Sequence, residues 1–115
     1  MIINNASINA LVAVHGADAY TAAKGGLVAL TRAMAVDWGP HGIRVVCICP
    51  GPIDTPMNRP YLNDPERVRS MERRIPLGRV ATPEEVADVA VFLAGPSAAY
   101  LNGTVIPVDG GWTAA

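Results

Sequence analysis

The chain has 115 residues, of which 50% are apolar and 17% charged, with a net charge of −1. This describes one globular domain, 1–115, rather than a disordered segment, and the near-zero charge supplies no field that would draw it to nucleic acid or an anionic membrane. No run approaches the roughly 20 apolar residues needed to cross a bilayer, and Met1–Ser7 lacks the basic start and long apolar stretch of a signal peptide, so a cytoplasmic location is the expectation.

Residues 1–6 predict a short strand, and the small, apolar stretch 7–17 with His15-Gly16 predicts a loop. Asp18 is a plausible N-cap for a helix running to Trp38. Ala23, Leu27, Leu30, Met34 and Trp38 recur at spacings of three and four, one stripe of that helix. Gly39-Pro40 stops it and Gly42 completes the turn. Ile43 to Cys49 is a nearly continuous apolar, β-branched run, the pattern of a strand buried on both faces of a parallel sheet. Cys47 and Cys49 lie two apart in it and share one face. They are read as buried core thiols, and with His15 and His41 they offer no metal-ligand spacing.

Pro50-Gly51-Pro52 ends the strand. Residues 56–79 are polar, punctuated by proline and rich in arginine, and predict short helices in a lid-like segment whose arginines face solvent. Thr82 caps the next helix, with Pro83 at its first position and Glu84 and Glu85 in its first turn. That helix ends near Gly95-Pro96, and residues 104–108 form a last strand before Asp109-Gly110-Gly111. The order β–α–β–lid–α–β predicts an α/β fold: a truncated, Rossmann-like layer with a short parallel sheet of about three strands and flanking helices. Its first strand would present an open edge.

The chemistry concentrates at Ser7, Tyr20 and Lys24. Tyr20 and Lys24 are four apart on a helix and share a face one turn apart. Ser7 lies at the carboxyl end of the first strand, the end at which open α/β sheets bind ligands. An ammonium within about 4–6 Å of a phenol favours the phenolate, so Tyr20 could act as general acid or base on a carbonyl or alcohol oxygen. Ser7 could hydrogen-bond the same oxygen.

The spacing Ser, twelve residues, Tyr, three residues, Lys resembles the active-site signature of the short-chain dehydrogenase/reductase family. Ile2-Ile3-Asn4 and Ala19 through Gly26 are similar too. So are, in order, Gly42-Ile43-Arg44-Val45, then Pro50 through Met57, then Gly78-Arg79 and Pro83 through Ala87, and finally Phe92-Leu93-Ala94 and Gly103 through Gly111. The resemblance covers essentially the whole chain. It implies that Tyr20 is the acid/base, that Lys24 lowers its pKa and hydrogen-bonds the nicotinamide ribose, and that Ser7 orients the substrate. Pro50, Gly51, Ile53 and Thr55 would line the nicotinamide of NAD or NADP, and 56–79 would cover a small alcohol or carbonyl substrate.

Family members are roughly twice as long. The Gly-rich turn that holds the cofactor pyrophosphate has no counterpart here, since Gly25-Gly26 falls inside a helix and Gly110-Gly111 follows the last strand. The catalytic asparagine of the family belongs to the same missing half, and weak or absent cofactor binding is an expectation. Val46 stands where the family usually has Asn, and Asn5 where it usually has an apolar residue. In a buried strand Asn5 would need a partner. Two alternatives to the oxidoreductase stand beside it: an esterase-type hydrolase using Ser7 as nucleophile, and a non-catalytic assembly module. The open edge and small core predict a homo-oligomer.

Overall fold

The run expected to be buried on both faces is the central strand. In the computed structural model, which describes residues 1–115, three parallel strands form one sheet. They are β1 (Ile2–Asn5), β2 (Val45–Pro50) and β3 (Val105–Val108), in the order β1-β2-β3. Ile2 faces Val45 and Asn5 faces Ile48 on one side of β2, while Cys47 faces Val105 and Pro50 faces Val108 on the other. All six β2 residues are buried. Pro107, which has no N–H to give a ladder, lies in an edge strand.

The two faces of β2 carry different layers. Val46 and Ile48 pack with Val86, Leu93 and Ala98, beneath helix α4 (Pro83–Ala94). Cys47 and Cys49 pack with Ala6 and Val28, beneath helix α1 (Asp18–Trp38). Both cysteines are free and buried, as their place in a core strand predicts. The remaining helices, α2 (Arg59–Leu62) and α3 (Pro65–Arg74), lie between β2 and α4 in the chain, within the segment read as short helices.

Helix α1 has the expected span, with two local differences. Its N-cap is Ala17, with no side-chain cap bond, and Asp18 is the first helical residue, where its carboxylate meets the positive end of the helix dipole. The buried stripe is Val28, Thr31 and Ala35, while Leu30 and Trp38 of the more apolar stripe are about half exposed (48% and 46%). Small residues let the helix approach the sheet. The polar one among them is satisfied: Thr31 Oγ1 donates to Leu27 O at 2.7 Å and accepts from Asn4 Nδ2 at 2.9 Å. Asn5 is exposed at the β1 edge, so the partner expected for a buried polar residue is not required.

Side chains tie the amino ends of the strands together. Asn102 Oδ1 accepts from Val45 N at 2.8 Å, and its Nδ2 donates to Ala35 O at 3.1 Å. Arg44 donates to Leu93 O (2.9 Å) and Leu101 O (3.1 Å). Gly42 closes the turn after α1 at φ +74, a left-handed conformation that glycine adopts without steric cost.

Helix α4 starts as its sequence predicts. Thr82 Oγ1 accepts from Glu85 N, and Glu85 Oε2 accepts from Thr82 N at 2.9 Å, a complete capping box with Pro83 in the first turn. Arg79 Nη1 also donates to Glu85 Oε2 at 2.8 Å. The Arg79 hydrogen bonds, then the Thr82 amide, pull the Glu85 carboxyl down from its ordinary 4.5 to about 2. A carboxyl depressed by folding stabilises the fold above its unfolded value and loses that contribution as pH falls through its folded value. Glu85→Gln is therefore expected to lower the melting temperature modestly at neutral pH. The gap to wild type should close as pH falls from about 4.5 to about 2. A gap of constant size across that range, in a calorimetric pH series, would contradict a role for the ionised carboxylate.

Candidate active site

Three parallel strands end at one edge of the sheet, and the loops that leave that edge carry the residues singled out above. Ser7 follows β1, Pro50 ends β2 and Gly51–Thr55 follows it, and Asp109–Gly111 follows β3, while Tyr20 and Lys24 stand on α1. A wider hollow of about 550 Å³ lies among Gly39–Arg44 and Ala99–Asn102, at the opposite end of the strands.

Ser7 is buried and caps a short 3-10 turn, Ile8–Ala10, with its backbone extended. Its Oγ accepts from Asn9 N at 3.2 Å, which leaves its own O–H to donate outward. That turn packs against α1 and β2. On α1, Lys24 Nζ donates to Asn5 O, the last carbonyl of β1, at 3.0 Å. The same ammonium stands 5.6 Å from the centre of the Tyr20 ring. Tyr20 itself is 46% exposed, so its hydroxyl can meet a ligand. Tyr20 and Lys24 thus share one face of α1, with Lys24 anchored by a backbone carbonyl at the carboxyl end of β1.

Cys49 underlies this corner. Burial first, then the adjacent Cys47, push its thiol up to about 11, against the opposing effects of the Ser7 backbone and the Lys24 charge. At neutral pH it is a thiol and not a nucleophile.

The Pro50–Thr55 loop is pinned on two sides. Gly51 N donates to Val108 O at 3.0 Å, while Asp54 N donates to Ala81 O at 2.9 Å and Ala81 N to Pro52 O at 3.1 Å. Ile53 forms an isolated parallel bridge with Ala81, and its carbonyl accepts from Asn58 Nδ2 at 2.8 Å. Thr55 is half-buried, and its carbonyl accepts from Asn58 and Arg59 N–H groups. A cavity of about 120 Å³ lies behind the loop, between Pro52, Ile75, Val108 and Asp109. The loop therefore presents Gly51, Ile53 and Thr55 from a fixed frame, while Pro50 is buried at the end of β2.

A match to the family described as enoyl-(acyl carrier protein) reductase extends over residues 1–113. The chain belongs to the short-chain dehydrogenase/reductase family. It is 44% identical over 114 residues to 2-(R)-hydroxypropyl-CoM dehydrogenase of Xanthobacter autotrophicus, a stretch that is 99% of this chain and 46% of that protein. It is 48% identical to meso-2,3-butanediol dehydrogenase of Serratia marcescens, over 98% of this chain and 44% of that one. Its fold superposes on a gluconate 5-dehydrogenase of Burkholderia cenocepacia, solved with NADP and tartrate, with a TM-score of 0.95 and 34% identity, over 98% of this chain and 44% of the other. The chain thus spans less than half the length of each of these three relatives.

Two features of this corner have no side-chain signature in the sequence. One is the Asn5 carbonyl, which holds Lys24 through the backbone alone. The other is the contact between Gly51 and Asp109. A Cβ at Gly51 would stand 2.9 Å from Asp109 Cα. Asp109 cannot step aside easily, because its carboxylate accepts from Gly111 N and Thr113 N at 2.9 Å and from Thr113 Oγ1 at 2.7 Å. Burial alone would raise the Asp109 carboxyl, but these hydrogen bonds prevail and hold it below its ordinary value. Gly51→Ala is expected to cost about 1–3 kcal/mol of stability, as overpacking does elsewhere. An unchanged urea midpoint would show that the two loops can separate freely.

Proposed function

We propose that the chain carries the proton-transfer corner and the nicotinamide end of an oxidoreductase that interconverts an alcohol and a carbonyl on a small molecule. The observation that carries this reading is the Lys24 ammonium, fixed 3.0 Å from Asn5 O and 5.6 Å from the Tyr20 ring centre. A cation and a solvent-reachable phenol thus stand side by side at the carboxyl end of β1. In the reducing direction Tyr20 Oη gives its proton to the substrate oxygen, and in the oxidising direction it takes that proton back. Ser7 O–H donates to the same oxygen and orients it.

The donor set fits the nicotinamide end of NAD or NADP: two ammonium hydrogens left on Lys24, the Thr55 hydroxyl, and the pinned walls of Pro50, Gly51 and Ile53. When bound, the nicotinamide supplies or accepts the hydride. Lys24 would hydrogen-bond the ribose, and Thr55 the carboxamide. Residues 56–79 would cover the substrate. No strand in this chain leads through a Gly-rich turn into a helix, so the pyrophosphate grip is not among these residues. The hydrolase alternative has less support: the hydrogen bond at Ser7 Oγ comes from Asn9 N rather than linking it to a base.

Titration of NADH and NADPH, read by nicotinamide fluorescence, tests this. Saturable binding is expected, weakened roughly two- to tenfold in Thr55→Ala by loss of one hydrogen bond. Tyr20→Phe should slow carbonyl reduction by about 10²–10⁴-fold. No binding at millimolar cofactor would sink the reading of this chain as a dehydrogenase acting alone.

We place the protein in the cytoplasm, in keeping with its two unpaired thiols, and as a homo-oligomer. No helix is long and apolar enough to cross a membrane. Association is suggested by the open edge of β1 and by large apolar side chains on outward helix faces, among them Leu30 (48% exposed), Val91 (72%) and Phe92 (51%). Sedimentation at micromolar concentration is expected to give a dimer or larger species, and a stable monomer would contradict it.

A further inference from the structure

The 56–79 segment is fastened much more firmly at one end than along its length. Neither α2 nor α3 buries a residue, and both pack chiefly on each other. Met57 and Tyr61 are largely exposed. Such a stretch, with few buried contacts, opens at low free-energy cost. Just beyond α3 the situation reverses. Ile75 is buried, and Leu77 N donates to Gly110 O at 3.1 Å. Gly110 (φ +63) and Gly111 (φ +94) lie so close that an added Cβ would stand 2.6 Å from Ile75 and 2.9 Å from Pro76. The turn that follows β3 is therefore a fixed seat for the end of the segment.

Asn58 and Arg59 tie the start of α2 to the Ile53 and Thr55 carbonyls, and at the far end a side-chain contact joins α3 to the fixed turn. The Arg74 guanidinium, at the last position of α3, lies 4.2 Å from the centre of the Trp112 ring. Arg74 is exposed and takes part in no ion pair, so this contact lies at the surface. Trp112 belongs to the short turn that Asp109 fastens through Thr113. We propose that the Arg74–Trp112 stack is a latch that holds α2 and α3 down beside the carboxyl ends of the strands. The segment opens by releasing the guanidinium from the indole, while the Ile75–Gly110 and Pro76–Gly111 contacts stay in place as the pivot. Arg74 and Trp112 are positioning residues, and the latch governs how closely α2 and α3 stand to the carboxyl ends of the strands. Its meaning for substrate entry rests on the reading of this segment as the substrate cover, but its existence does not require a bound cofactor.

Hydrogen exchange on the full chain tests the latch without any ligand, so a failed cofactor titration and a failed latch are told apart. Arg74→Gln and Trp112→Leu are each expected to raise amide exchange across 57–74 by roughly two- to fivefold, the size of an exposed cation–π contact. The double variant should do no more than either single one, and the strands should keep their protection. Arg74→Lys, which retains the cation, should restore part of the protection. In a Trp38→Phe background, acrylamide should quench Trp112 more strongly once Arg74→Gln is introduced. The latch would be overturned by unchanged exchange over 57–74, by additive single effects, or by an equal rise in the strands.

Discussion

All six residues of β2 are out of water, and that burial dictates most of what surrounds them. A strand covered on both sides needs two layers, and the alternation of its side chains assigns them: Val46 and Ile48 to α4, Cys47 and Cys49 to α1. A slip of one residue would exchange the two faces. The layers differ in the room they leave, because the thiols meet the small Ala6 and the β-branched Val28 whereas the aliphatics meet Leu93 and Val86. Since β1 and β3 run parallel to β2, all three strands deliver their following loops to one edge. The meeting of Ser7, Pro50–Thr55 and Asp109 there follows from strand direction and needs no other cause.

The charge of Lys24 is kept available by what surrounds it. It makes no salt bridge, and its hydrogen-bond partner is a carbonyl, which fixes its position without neutralising it. Cys49, whose thiol feels the Lys24 charge, is pushed up by burial and stays neutral beside it.

Much of this was legible in the residues because the signals were local. The unbroken apolar run from Ile43 to Cys49 has only one kind of home, a strand covered on both faces. Thr82, Pro83 and Glu85 spell a helix start within four positions, and Tyr20 and Lys24 need only a helical turn to become neighbours. The less legible features depend on partners far away in sequence. Thr31 is a poor candidate for a core stripe until Asn4, 27 residues earlier, supplies its hydrogen bond. The apolar stripe through Leu30 was the stronger pattern, yet the sheet selected the smaller residues because they permit closer approach. Asn5 reads as a buried polar problem only if β1 is assumed to be central. Asp18 reads as a cap, but the helix begins one residue earlier than a capping side chain would require.

The turn after β3 holds the loops on both sides of it. Its glycines are required for two reasons at once, a left-handed backbone and the absence of a side chain where Ile75 and Pro76 press against it. Its aspartate fixes the turn and stands against Gly51, the second residue of the proposed nicotinamide wall. One short segment thus sets the position of the Pro50–Thr55 loop on one side and of the 56–79 segment on the other. Only 16 of the 115 residues are buried, so the chain has little core with which to hold two separate loops rigid. Seating both on a single hydrogen-bonded turn couples them: a displacement of Asp109 that relieved Gly51 would also move Gly110 against Ile75.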